Sequence, residues 1–218
     1  MNPEFLPDNT RKVLEIFSLQ KFIRNYSLVG GTALSMQIEH RKSQDIDFIF
    51  DGEILNKTSI KRNIQNIFSG QYKIIKEDEN YQIDFVINDV KVTFFSAGAV
   101  LIPFNVRERC FIYKNINIAP VDIISVLKVC TLAQRSTLRD YYDIYYISKY
   151  IIPLKDIFMK CKELLPNISP VTYSETIIYV DDIPEFSIDN SLEPKEIVNK
   201  NQISEYFTNE IKKIKNIL

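Results

Sequence analysis

The stretch LVGGTALSMQIEHRKSQDIDFIF, Leu28 to Phe50, gathers the side chains best suited to chemistry. Two adjacent glycines, Gly30 and Gly31, follow a short apolar run and precede a segment with helical spacing. Glycine lets the backbone turn sharply and lets a phosphate approach the main chain closely. A helix starting there turns its free N–H groups and dipole toward that phosphate, with the Thr32 hydroxyl beside them. Thirteen residues separate Gly31 from Asp45, which opens the alternating run DIDFIF with Asp47 two positions on. On a strand, residues i and i+2 share a face, about 7 Å apart. Two carboxylates so placed are costly unless solvated or neutralised. Hard divalent cations such as Mg2+ neutralise them and bring phosphate ligands of their own. The chemistry implied is two-metal phosphoryl transfer, one ion activating the attacking oxygen and the other holding the leaving phosphates. Singly, a Gly–Gly pair is usually a turn and a DxD a solvated sheet face. The order strand, GG, helix, DxD strand is what carries the reading.

Those residues need elements to hold them. Tyr26–Gly30 reads as a short strand, Thr32–His40 as a helix and Asp45–Phe50 as a strand. Its alternation puts Asp45, Asp47 and Ile49 on one face, and Ile46, Phe48 and Phe50 on the other. Upstream, Asp8 or Asn9 caps a first helix that buries Val13, Leu14, Ile16 and Phe17. Ile60, Ile64, Ile67 and Phe68 recur at helical spacing. Tyr72–Ile75, Tyr81–Ile87 and Val90–Phe95 read as strands, the last two joined by the two-residue turn Asn88–Asp89. Cys110–Tyr113 and Ile116–Ile118 form a second hairpin. From Pro120 the pattern turns helical, with Val121, Ile124, Leu127 and Thr131 on one face, then helices over Leu138–Tyr150 and Leu154–Leu165. Val171–Val180 reads as a strand, Asp181–Pro194 as an acidic loop and Ile203–Ile217 as an amphipathic helix. The fold class is therefore α+β (α/β): a mixed sheet flanked by helices over residues 1–118, the catalytic core, then a mainly helical part over 119–218 that shares an interface with it.

Composition removes several alternatives. The 218 residues carry 27 basic and 28 acidic side chains, so bulk electrostatic coating of DNA or anionic membrane is not expected. Three scattered cysteines, Cys110, Cys130 and Cys161, make no CxxC pair, which argues against a disulfide framework and a thiolate zinc site. The single histidine, His40, closes off HExxH chemistry and sits where a partly exposed helix cap is expected. No GxSxG elbow accompanies it. MNPEFLPDNTRK lacks the basic start and apolar run of a secretory leader, and no run of about 18 apolar residues occurs. A cytoplasmic protein without membrane partners is the expectation.

The GG–helix–DxD arrangement resembles the nucleotidyltransferase fold of the polymerase-β superfamily. More narrowly, GGTAL followed by HRKSQDIDF is similar to the AbiEii/AbiGii toxin group, including MenT-type toxins. Asp122–Ile123, Lys128, Ala133, Arg135 and RDYYDI at Arg139–Ile144 resemble that group's later motif, a Lys- and Arg-bearing helix followed by RDxxD. The resemblance covers about residues 25–150. It implies an enzyme of the EC 2.7.7 type that moves a nucleoside monophosphate from an NTP to an acceptor hydroxyl, such as an RNA or tRNA 3′ end. It also implies a toxin with a cognate antitoxin. Gly30, Gly31 and Thr32 would hold the triphosphate, and Asp45 and Asp47 two Mg2+ (or Mn2+) ions. Arg41, Ser43, Lys128, Arg135, Asp140 and Asp143 would complete the nucleotide site, unless Arg139 and Asp143, at i,i+4, simply pair with each other.

One position departs from that pattern. The superfamily takes a third carboxylate from a later strand, where VKVTFF offers Thr93. If Asn88–Asp89 is a two-residue turn, Ile87 pairs with Val90, Phe85 with Val92 and Asp84 with Thr93 on one sheet face. Asp84 is thus the candidate third metal ligand, and a one-residue change in the turn would reverse its face. The alternative is a catalytically degenerate fold that binds nucleotide or RNA without chemistry. A protein-interaction module with an occupied cleft is a third. The tyrosines of DYYDIYYISKY read as packing before base stacking. Lys155, Lys160 and Lys162, and Lys212, Lys213 and Lys215, read as solvated helix faces. Asp181, Asp182 and Glu185 lack EF-hand spacing.

Overall fold

A computed structural model describes residues 1–100, 102–134 and 137–214. Arg135 and Lys215 lie outside the described residues. The chain divides into two compact units, Met1–Pro120 and Val121–Leu218.

The first unit runs α1 (Asp8–Ser18), β1 (Ser27–Val29), α2 (Gly30–Ile38), β2 (Ile46–Phe50), α3 (Lys57–Phe68), β3 (Lys73–Glu77), β4 (Gln82–Ile87), β5 (Val90–Ser96), the short α4 (Ala97–Val100), β6 (Phe111–Tyr113) and β7 (Ile116–Ile118). Among the described residues the strands form one mixed sheet in the order β3-β4-β5-β2-β1-β7-β6. β2 runs parallel to β5 and antiparallel to β1, and β1 runs parallel to β7. The expected α+β class is the observed one. Pro7, rather than Asp8 or Asn9, stands at the cap of α1.

Alternation along β2 builds both faces of the sheet. Ile46 and Phe48 are fully buried, and Phe48 stacks on Phe94 of β5 at 5.2 Å between centroids. Phe17 of α1 meets Phe48 edge-on at 5.4 Å and Phe68 of α3 at 5.5 Å, so α1 and α3 cover this face. Each such ring contributes about 1.5–3 kcal/mol through burial, with about 0.5–1.5 kcal/mol more per well-oriented aromatic pair. Asp47 projects from the opposite face. The core thus fixes the register that aims the carboxylate.

Asn88 and Asp89 have φ of 48° and 63°, the left-handed pair that a two-residue I′ turn requires. The hairpin register follows as expected: Ile87 faces Val90, Phe85 faces Val92 and Asp84 faces Thr93.

The second unit holds α5 (Val121–Gln134), α6 (Leu138–Tyr150), α7 (Leu154–Leu164), α8 (Pro170–Ile178) and α9 (Lys200–Ile214). The strand expected at Val171–Val180 is instead α8 followed by a 3-10 turn at Tyr179–Asp182. Ser169 caps it by accepting from the Val171 N–H, and Pro170 takes the first turn. Tyr173 and Ile177, at i,i+4, are buried together. The Tyr173 hydroxyl lies 3.3, 3.2 and 3.1 Å from the carbonyl oxygens of Cys161, Leu165 and Ile168, serving the end of α7. Tertiary packing here overrides the β-branched composition. The acidic loop also contains a 3-10 turn at Asn190–Leu192. Tyr141, Tyr142, Tyr145 and Tyr146 of α6 are buried, and Tyr150 is exposed.

Candidate active site

In the first unit the site is assembled where β1 passes directly into α2. Val29 is extended, Gly30 has φ +70°, and the helix begins at once. A side chain at Gly30 would be strained by its backbone. Its Cβ would also lie 2.6 Å from Oδ2 of Asp47, which pairs with Val29 across the β1–β2 register. A Cβ on Gly31 would fall 2.8 Å from Oγ of Ser43 and 3.0 Å from Nη2 of Arg41. Asp47, Ser43 and Arg41 therefore close around the first turn of α2, where N–H groups lack intrahelical partners.

The loop between α2 and β2 is tied to the helix. The Thr32 hydroxyl donates to the Asp45 carbonyl, and the Ser35 hydroxyl to the Arg41 carbonyl. Arg41 Nη1 donates to the Lys42 carbonyl at 2.9 Å. Thr32 is fully buried and turned toward this loop, so its visible task is to position Asp45. Arg41 and Ser43 are buried as well, whereas Asp45 and Asp47 remain half-exposed. His40, expected to be partly exposed, is fully buried. The strand expected from Asp45 begins at Ile46, so Asp45 stands just before β2 and Asp47 within it. Two carboxylates this close in the chain, beside a helix start whose glycines leave room that any Cβ would fill, suit a hard divalent cation.

Register extends a row of side chains outward from Asp47. Asp47 pairs with Thr93 of β5, Thr93 with Asp84 of β4, and Asp84 with Lys76 of β3. Asp84 is 2% exposed, and both its oxygens are engaged. Gln82 Nε2 donates to Oδ1 at 2.7 Å, and Lys91 Nζ lies 3.2 Å from Oδ2. The grouping of Asp45, Asp47 and Asp84 around one ion is not formed: among the described residues, no three His, Cys, Asp or Glu side chains converge to hold a metal. Two strand spacings, about 9–10 Å, separate the Asp84 and Asp47 backbones. Sequence reasoning missed Lys91 and Gln82. The hairpin register was their signal, since it puts Lys91 diagonally opposite Asp84.

In the second unit, Lys128 of α5 lies between Asp140 and Asp143 of α6, 2.6 Å from a carboxylate oxygen of each. The Thr137 hydroxyl donates to Asp140 Oδ2 at 2.8 Å. All three charged groups are buried. Burial alone would push the Asp140 carboxyl up, but the Lys128 ammonium and Thr137 hold it below the usual carboxylate range. Lys128, expected to await a phosphate, is already neutralised. Asp143 meets Lys128 across the two helices, and Arg139 is exposed on α6.

Among the described residues no helix is long and apolar enough to cross a membrane. The family model described as Nucleotidyl transferase AbiEii toxin, Type IV TA system, matches residues 12–215. Protein aq_aa25 of Aquifex aeolicus (strain VF5) is 26% identical over 210 residues, covering 94% of this chain and 98% of its own length. JHP933 from Helicobacter pylori has a similar structure at TM-score 0.55 and 15% identity, with 97% of this chain and 95% of that one covered. MenT4, a nucleotidyltransferase toxin from Mycobacterium tuberculosis H37Rv, matches at TM-score 0.50 and 10% identity over 94% of this chain and 85% of its own. These two likenesses are of fold. With the family match running from α1 to the last residues of α9, the chain belongs to the AbiEii family of nucleotidyltransferase toxins.

Proposed function

We propose that this protein transfers a nucleoside monophosphate from an NTP to an acceptor hydroxyl with Mg2+ (or Mn2+), and that the acceptor is RNA, such as a tRNA 3′ end. The observation that carries this reading is the approach of the Asp47 carboxylate to Gly30, 2.6 Å from where a Cβ would stand. It puts the Asp47 carboxylate against the helix start that suits a phosphate. Gly30 and Gly31 offer backbone N–H groups to the triphosphate, and Ser43 and Arg41 line the same turn. Asp45 and Asp47 would hold the metal. When bound, divalent ions supply charge neutralisation of the triphosphate and activation of the acceptor hydroxyl. Thr32 fixes the Asp45 backbone, so the pair is pre-positioned before substrate arrives. An antitoxin in the same cytoplasm completes the assignment as a toxin.

Incubation with Mg2+, labelled NTPs and cellular RNA tests the proposal. Wild type is expected to label RNA and to arrest growth on expression, and Asp45→Asn and Asp47→Asn to do neither. Label transfer by Asp45→Asn at the wild-type rate would overturn it. One observation favours a second reading, nucleotide binding without turnover: Asp84 is occupied by Lys91 and Gln82. Metal-dependent NTP binding with no pyrophosphate release would select that reading.

A further inference from the structure

Thr93 stands where a carboxylate is expected, and the carboxylate one strand further out is not idle. Asp84 is buried, and each of its oxygens already receives a donor: the Gln82 amide at 2.7 Å and the Lys91 ammonium at 3.2 Å. A buried carboxylate satisfied in this way gains little by turning to a metal, since turning would give up both contacts. Lys91 is different. Its side chain is 39% exposed although its partner is 3% exposed, so the ammonium is the reachable end of the pair. β5 runs parallel to β2 with Ile46 beside Val92 and Asp47 beside Thr93. Lys91 precedes Val92 on β5 as Asp45 precedes Ile46 at the start of β2, so both residues belong to the same end of this strand pair. Positions 91 and 93 share the face of Asp47, since alternate residues of a strand project together.

We propose that Lys91 is a substrate-binding residue of the active site, its ammonium a fixed cation beside Asp45 and Asp47 that holds an anionic oxygen of the bound triphosphate, and that Asp84 positions Lys91 and is not a metal ligand. The inference rests on the nucleotide reading above. It accounts for Thr93 without assuming a lost function. A site with a built-in ammonium needs less metal charge to neutralise the same phosphates, and a third carboxylate becomes dispensable. Gln82 completes the device by filling the second oxygen of Asp84, which leaves the carboxylate one orientation.

The test separates metal from nucleotide. Titration with Mn2+ followed by electron paramagnetic resonance, without nucleotide, is carried out on wild type, Asp45→Asn, Asp84→Asn and Lys91→Met. Asp84→Asn is expected to bind Mn2+ within about twofold of wild type. Lys91→Met is expected to bind it roughly tenfold more tightly, as removal of one ammonium near a divalent ion requires. Steady-state kinetics then give a KM for NTP raised about tenfold in Lys91→Met and largely restored in Lys91→Arg, because a guanidinium keeps the charge. The double variant Asp84→Asn/Lys91→Met leaves no buried charge unpaired and is expected to show the same KM rise, so a folding defect of the single variant does not hide the answer. Loss of Mn2+ affinity in Asp84→Asn matching that in Asp45→Asn would make Asp84 a ligand and overturn the proposal. An unchanged KM in the double variant would reduce the pair to a structural ion pair and overturn it as well. Unaltered Mn2+ binding in Asp45→Asn would instead refute the nucleotide reading on which the proposal stands.

Discussion

Gly30 shows how much of the site one residue can carry. Its φ of +70° costs a residue with a Cβ about 1–2 kcal/mol, and that Cβ would collide with Asp47 at 2.6 Å. Gly31 has no such backbone restriction, and a Cβ there would first meet the Ser43 hydroxyl and the end of the Arg41 side chain. Gly30→Ala is therefore expected to lower thermal stability more than Gly31→Ala and to weaken Mn2+ binding by displacing Asp47. Equal melting temperatures for the two variants would contradict this account. The glycines and the carboxylates were legible in the sequence because backbone geometry and strand alternation define their roles locally. Burial was not. Thr32 and His40 look accessible in sequence and are fully buried, and burial is a property of the folded chain that local spacing does not carry.

At the scale of elements, the β4–β5 hairpin was readable without a turn glycine, since Asn and Asp tolerate the left-handed conformation that Asn88 and Asp89 adopt. That one inference set the face of Asp84. The partner of Asp84 was reachable by the same register, but a search for metal ligands looks for acids and passes over Lys91. The α5–α6 pair was legible as helices, but the contact between them was not. Spacing along one helix points to neighbours such as Arg139 and Asp143, and could not show that Lys128 on the other helix meets Asp140 and Asp143 together. This arrangement has a pH signature. The Asp140 carboxyl is depressed in the folded protein, burial opposing and Lys128 with Thr137 outweighing it. Its stabilisation is complete above the ordinary unfolded value near 3.9 and is lost as pH falls through the lower folded value. Asp140→Asn is expected to cost about 1.5–3 kcal/mol between pH 6 and 8, the range for a charge-assisted hydrogen bond. The gap to wild type should narrow below about pH 4. Urea unfolding across pH measures it, and a gap constant down to pH 3 would contradict the assignment. The α8 segment was misread because VTYSETIIYV favours strand locally, while Ser169, Pro170 and the Tyr173 contacts to the end of α7 favour helix.

For the molecule as a whole, the balance of 27 basic and 28 acidic residues hides an uneven distribution. Lys128 is shared by Asp140 and Asp143, and Lys91 is held by Asp84; Asp45, just before β2, and Asp47 within it are half-exposed. The sulfur chemistry is quiet. Burial pushes the thiols of Cys110 and Cys130 up to about 11 and that of Cys161 higher still, so all three are protonated near neutrality. The proposed reactive surface is the junction of β1, α2 and β2, and the reaction proposed there is defined by which phosphate moves. Parallel incubations with alpha-labelled and gamma-labelled NTP, Mg2+ and cellular RNA decide this directly. The account predicts that RNA acquires the alpha label while the gamma label leaves in pyrophosphate. Gamma label on the acceptor, with the alpha label left in a nucleoside diphosphate, would contradict it.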